Sequence, residues 1–415
     1  MSGTRPPIRT RSVALAAVPL GVLTLTGAAA GPAAAAECSV SSVQYVPDAP
    51  LALQRLNAKY AWTLATGRGV VVAVVDSGVN ARNKHFDGAL VKGTSLVPQL
   101  KATQDDAGHG TALAGQIAAR KVPGSGVIGL APDARIMPVQ VFYDADEQSR
   151  AAGVGPRPDR IAAGIRYAVD HGAKVINVSL STPTDDSRLR AATRYATGKG
   201  ALVVASAGNR TTAQDKADGA RYPAAYPEVL AVSAADASDA VTDDSIHGSH
   251  VDVSAPGTEV LTTFHAAGDC LLSQEGESTS FATAYASAAA ALLVQRFPDA
   301  GPAQWKHRLE VTASRPQRER RDDLAGWGLI QPYEALTAIT DQSAGGPNLP
   351  GQPTRKPAAQ GVRPIDLTQS SDPHAPERTA ALWWSLGGTS SVIALALAGL
   401  LRRPSRRSPT RPDPT

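Results

Sequence analysis

At 415 residues, with 43% hydrophobic and 19% charged residues, the chain can bury a full-sized core and is not globally disordered. Its formal net charge of +4 is concentrated at the ends: residues 1–36 carry three Arg and no acid, residues 402–415 carry five Arg and one Asp, and everything between is net −3. Composition therefore excludes a basic nucleic-acid surface and leaves one large domain with appendages.

In chain order, Arg5, Arg9 and Arg11 precede an apolar run from Val13 to Ala30 and the small residues Ala34-Ala35-Ala36, so residues 1–36 are expected to be a secretory signal. Residues 37–60 form a short polar lead. Val70 to Val75 is continuous and β-branched, the pattern of a central parallel strand buried on both faces, with Asp76 at its carboxyl end. Open α/β sheets place their sites along that edge. His109, in Gly108-His109-Gly110-Thr111, opens a predicted helix over 111–120, and 136–142 reads as a strand. Helix 159–171 is stopped by Gly172, strand 175–180 follows, helix 185–199 is stopped by Gly200, and strand 201–205 follows in turn. This alternation predicts an α/β fold, a doubly wound and mostly parallel sheet with right-handed crossovers, within residues 61–340.

Past the strand at 201–205, the small residues of Ser206-Ala207-Gly208-Asn209 allow a peptide to approach, and Asn209 has a side-chain amide to offer. Ser280 lies where the polar turn Ser278-Thr279-Ser280 gives way to an Ala-rich run ending near Ala291. A hydroxyl there sits beside unpaired N–H groups and the positive end of a helix dipole, which favours an oxyanion and so acyl transfer. Residues 341–380, rich in Pro, Gly, Gln and Ser, read as a linker. Residues 381–401 carry no charge and are followed by Arg402, Arg403, Arg406 and Arg407. About 20 helical residues cross ~30 Å of hydrocarbon. Trp383 and Trp384 suit the outer interface and the Arg-rich tail, 402–415, the cytoplasmic side, which predicts a single-pass membrane protein with its body extracytoplasmic. In an exported chain Cys38 and Cys270 are candidates for one disulfide, two free thiols being the alternative.

Four local motifs, Val75-Asp76-Ser77-Gly78, Gly108-His109-Gly110-Thr111, Ala207-Gly208-Asn209 and Ser278-Thr279-Ser280-Phe281-Ala282, resemble those of subtilisin-type serine proteases, in the same Asp, His, Ser order. Gly326-Trp327-Gly328 to Leu336 looks like the closing segment of that domain. With the signal, linker and span, the whole arrangement is similar to that of mycosins, the membrane-anchored proteases of type VII secretion systems. The resemblance implies a catalytic triad of Asp76, His109 and Ser280, an oxyanion donor in Asn209, and substrate-binding positions at Ser179, Leu180, Ser181, Ala207 and Gly208. It implies polypeptide substrates and a secretion complex as partner; no cofactor or metal is expected, calcium being left open. The lead is too short for the long folding-assistant propeptide of many secreted subtilisins. The alternatives are a catalytically weak scaffold of the secretion complex and a general degradative protease. Ser278 stands where the family has Gly, Ala284 where it has Pro, and Ser181 where many members have Gly. If the Gly position needs positive φ, Ser278 carries about 1–3 kcal/mol of strain.

Overall fold

A computed structural model describes residues 38–213, 215–340, 345–348 and 374–401. The expected signal, most of the linker and the Arg-rich tail lie outside these residues. The chain divides into two units, residues 1–354 and 355–415.

The first unit is built on a seven-stranded sheet. Its strands are β1 (Val71–Asp76), β2 (Thr94–Ser95), β3 (Arg135–Gln140), β4 (Val175–Val178), β5 (Leu202–Ser206), β6 (Leu230–Ala235) and β7 (Val253–Pro256), in the spatial order β2-β3-β1-β4-β5-β6-β7. Every pairing is parallel. The apolar runs are explained by burial on both faces. Val72 and Val74 of β1, Leu202 and Val204 of β5, and Leu230 and Val232 of β6 point into one core, while Ala73, Val75, Val203, Ala205 and Ala231 point into the other.

The first core is covered by α1 (Leu51–Arg55), α2 (Ala58–Ala61), α3 (His109–Ala118), α7 (Thr279–Arg296), α8 (Pro302–Thr312) and α9 (Pro332–Thr337). The second is covered by α5 (Pro158–Asp170) and α6 (Ser187–Gly198); the short α4 (Glu147–Ala151) precedes them. Pro158 begins α5, Asp186 caps α6 by accepting from the N–H groups of Arg188 and Leu189, and both helices are followed by glycines at positive φ, Gly172 and Gly200. Helix α7 is buried on all sides from Thr279 to Val294. Alanine gives it strong helix propensity and a narrow profile, so that β4, β5, β6 and β7 all pack against it.

An antiparallel hairpin, β8 (Val260–Thr263) and β9 (Asp269–Leu272), holds the segment from Cys38 to Val46 in place. Gln44 bridges to Gly268, the Val46 N–H donates to Asp269, and Cys38 is disulfide-bonded to Cys270 with Cα atoms 5.5 Å apart. The lead is not merely polar, since Leu53 and Leu56 are buried in the first core. The described part of the second unit is one helix, α10 (Ala375–Leu401), of which Pro376–Gly399 is long and apolar enough to cross a membrane.

Candidate active site

Asp76 ends β1 fully buried. Its Oδ1 accepts from the Ser77 N–H at 2.8 Å and faces His109 Nδ1 at 2.6 Å. A carboxylate accepts, so Nδ1 carries the proton and Nε2 keeps a lone pair. His109 is the first residue of α3, and that helix reaches the end of β1 because Gly110 has no side chain: a Cβ there would lie 2.1 Å from Gly78 O and 3.2 Å from Asp76 Cβ. Burial of the imidazole works against its protonated form, but the Asp76 carboxylate, seconded by Asp105 and Asp144, outweighs it, so His109 titrates above its ordinary value.

Sequence reasoning passed over Asp105. It is buried, and its carboxylate accepts from the N–H groups of Gly108, at 2.9 Å, and Thr111, at 2.8 Å, two of the donors that the start of α3 leaves unpaired. Burial raises its own titration despite the hydrogen bonds from Thr111. The signal available was an Asp in the polar loop shortly before a helix-opening His, close enough for its carboxylate to reach that helix's free N–H groups.

Ser280 is the second residue of α7 and is buried. Its hydroxyl donates to Ser179 O at 3.3 Å, while Ser179 Oγ donates to Ser280 O at 2.8 Å. Ser179 Oγ in turn accepts from Asn177 Nδ2 at 3.0 Å, and Asn177 Oδ1 accepts from Ser287 Oγ at 2.9 Å. This buried polar ladder fixes the rotation of α7 on β4. It was invisible in sequence because Asn177 and Ser287 lie 110 residues apart inside otherwise apolar runs. The His109 and Phe281 ring centroids are 6.1 Å apart, which brings the imidazole to the start of α7.

Ser278 is extended, with φ −128° and ψ 114°, so the expectation of strain at this position is corrected: the backbone is in a region any residue adopts. Nor does its side chain cap α7. Asn209 does, its Oδ1 accepting from both Thr279 N and Thr279 Oγ1 at 2.8 Å. A backbone N–H can only donate, so the amide orientation is fixed and Asn209 Nδ2 is left to donate elsewhere. Ala207 is buried; Gly208 takes φ +106°, where a Cβ would meet Ser181 Oγ, Arg221 and Ile246 at 3.1–3.2 Å. Ser179 is buried, Leu180 half-buried and Ser181 exposed, and the following Thr182 is bridged to Tyr222. Among the described residues no group of three or more His, Cys, Asp or Glu side chains could hold a metal ion.

A sequence model of the Subtilase family matches residues 67–328. Thermitase of Thermoactinomyces vulgaris is 36% identical over 256 residues, 62% of this chain and 84% of thermitase. Among solved structures, MycP1 from the ESX-1 type VII secretion system is similar with a TM-score of 0.64 and 30% identity, over 74% of this chain and 91% of that one. The MycP3 protease from the type VII (ESX-3) secretion system is similar with a TM-score of 0.63 and 31% identity, over 71% and 91%.

Proposed function

The chain belongs to the Subtilase family and is a serine endopeptidase related to the MycP proteases, and from that premise we propose that Asp76, His109 and Ser280 are its catalytic residues. The observation that supports this reading best is the 2.6 Å contact of His109 Nδ1 with Asp76, which leaves Nε2 a base at the start of α7. The Ser280 hydroxyl turns from Ser179 O toward Nε2, and His109 takes its proton as Oγ attacks a peptide carbonyl. His109 then returns that proton to the leaving amine, and water repeats the cycle on the acyl-enzyme. The carbonyl oxygen, now an anion, accepts from Asn209 Nδ2 and the Ser280 N–H; each such donor is worth about 3 kcal/mol in the handled charge, as measured in subtilisin itself. Ser181 and Leu180 pair with the substrate backbone as an added strand, and Gly208 keeps the facing wall low.

We further propose that the protein is held in the cell membrane by α10 as a single pass, with residues 61–340 as an extracytoplasmic peptidase domain. The basic N-terminal signal pattern and the Arg cluster after Leu401 support that orientation. Its substrates are then proteins of an export machinery, a reading supported by the likeness to MycP1 and MycP3 from type VII secretion systems. A fluorophosphonate probe tests the chemistry: an adduct on Ser280, located by mass spectrometry and lost in Ser280→Ala, is expected, and an adduct elsewhere overturns the assignment. Protease treatment of intact cells tests the orientation, since the peptidase domain should be shaved from outside while the tail after Arg402 stays protected.

A further inference from the structure

Gly208 has no side chain and yet is buried, because three neighbours fill the space into which its Cβ would point. Ser181 Oγ lies 3.1 Å from that point, and Arg221 Cγ and Ile246 Cγ1 each lie 3.2 Å from it. They reach it from three separate segments. Ser181 comes from the stretch that continues β4, opposite Gly208. Arg221 is set beside it by the antiparallel bridge of the next residues, in which Thr182 N donates to Tyr222 O at 2.9 Å and Tyr222 N to Thr182 O at 2.8 Å. Ile246 is pinned by its own N–H, which donates to Gly208 O at 2.8 Å. Atoms this near leave no room even for a methyl group unless a neighbour gives way.

Arg221 is the neighbour least able to move aside. It is 3% exposed. Its Nη1 donates to the carbonyls of Ala220 at 3.1 Å and Gly219 at 3.4 Å, and its Nη2 to those of Ala217 at 2.7 Å and Asp215 at 2.9 Å, with the Asp215 carboxylate 3.8 Å away. Swinging the side chain out would break these charge-assisted bonds together. The same bonds commit the guanidinium to the loop before it, so what Arg221 presents to Gly208 is hydrocarbon. With Ser280 as nucleophile and Asn209 as oxyanion donor, the reading on which this rests, the residue whose carbonyl is attacked lies alongside Ser181 and Gly208. We propose that Arg221 is a specificity-determining residue: its stem, with Ile246 and the Ser181 hydroxyl, fills the recess between Ser181 and Gly208, so that only Gly, Ala or Ser is accepted just before the scissile bond. A larger side chain has to push well-packed neighbours off their rotamers, and an acidic one finds no free guanidinium donor facing it.

The full chain in an uncharged detergent is assayed on fluorogenic peptides that differ only in the residue before the scissile bond: Gly, Ala, Leu, Phe or Glu. Active enzyme is counted by fluorophosphonate labelling of Ser280. Per labelled enzyme, kcat/KM should be highest for Ala or Gly and about a hundredfold or more lower for Leu, Phe and Glu. Arg221→Ala opens the recess and should raise the Phe-to-Ala ratio about tenfold or more, whereas Arg221→Met, which keeps the stem and loses the charge, should leave that ratio within about threefold. If loss of the guanidinium bonds keeps both variants from folding, Ser181→Gly opens the same recess from the other wall without touching those bonds, and it should shift the ratio in the same direction. Phe or Leu cleaved as fast as Ala by the unaltered enzyme, Glu preferred over the rest, or a ratio unmoved in whichever opening variant folds, overturns the proposal and leaves the catalytic assignment standing. Absence of a Ser280 adduct removes that assignment and the proposal with it.

Discussion

In two aspartate–histidine pairs of the first unit the side chains meet at hydrogen-bond distance, and the contrast between them separates what holds the protein together from what it uses. His109 and Asp76 meet at 2.6 Å, with the imidazole 31% exposed and the carboxylate fully buried. His85 and Asp269 meet at 2.9 Å, both side chains wholly buried. In the first pair only Nδ1 is engaged. In the second both ring nitrogens are, for His85 Nδ1 lies 2.6 Å from Arg120 O, and a carbonyl only accepts. Asp269 is equally committed, its other oxygen accepting from Val46 N at 2.9 Å and Ser125 Oγ at 2.6 Å. The same two residue types therefore make a partly exposed proton acceptor at one place and a saturated clamp at the other. A free ring nitrogen within reach of solvent is what differs.

Breaking each pair should give opposite phenotypes. Asp76→Asn removes the group that sets the His109 tautomer; kcat on a peptide substrate should fall by about 10⁴-fold with the melting temperature little changed. Asp269→Asn should do the reverse. By replacing one of two acceptor oxygens, all of whose partners are buried or half-buried, and removing the charge opposite His85, it is expected to lower unfolding free energy by about 3–5 kcal/mol in a denaturant titration, while kcat of the folded fraction stays within about threefold. A loss of kcat in Asp269→Asn that matched the loss in Asp76→Asn would erase the distinction.

Glu277, three residues before Ser280, sharpens the comparison by supplying a buried carboxyl with no imidazole at all. Its Oε2 accepts from the Thr242 N–H at 3.3 Å, and its Oε1 has no partner. Burial, with Asp236 and Asp244 nearby, pushes it up to about 7 from an ordinary 4.5. The folded state thus binds a proton that the unfolded chain has released, and stability attributable to Glu277 falls as pH rises from about 4.5 through about 7. Glu277→Gln should accordingly stabilise the protein at pH 8 by on the order of 1–3 kcal/mol and have little effect near pH 4.5, as read from melting curves across that range.

The smallest effect concerns Asp105, which raises the titration of His109 without a hydrogen bond to the imidazole. Because His109 must be neutral to act as a base, kcat/KM should rise with pH through a midpoint above 6.5. Asp105→Asn removes one of the charges that raise it, so the midpoint should move down while Asp76 keeps the tautomer. A pH–rate profile measures this, and an unmoved midpoint would confine Asp105 to capping α3.

Those elements that a local pattern specifies were readable in the sequence: β1 ending at Asp76, α5 and α6 with their glycine stops, and α7 opening at Thr279. Interactions that need two distant segments were not. His85 and Asp269 are 184 residues apart, and nothing around either departs from ordinary polar loop sequence. Strands β6 and β7 and the β8–β9 hairpin were also passed over, since short runs mixing Val, Ala and Ser carry weak periodicity until a sheet edge selects them. The Ser278 position shows a subtler limit. A resemblance supplied the residue type, but the dihedral angle belongs to this chain, and it is extended.

Beside the buried clamp, the Cys38–Cys270 bond closes a loop spanning 232 positions. Asp76, His109 and Asn209 lie inside that loop, and Ser280 lies ten residues past its end. A protease that cuts its own exposed loops between 39 and 269 would therefore not shed a fragment. Both pieces would migrate as one band until a reductant is added, and after a cut beyond His109 the piece bearing Asp76 and His109 would stay tied to the piece bearing Ser280 and α10. Nicking becomes a change in connectivity rather than the loss of a fragment.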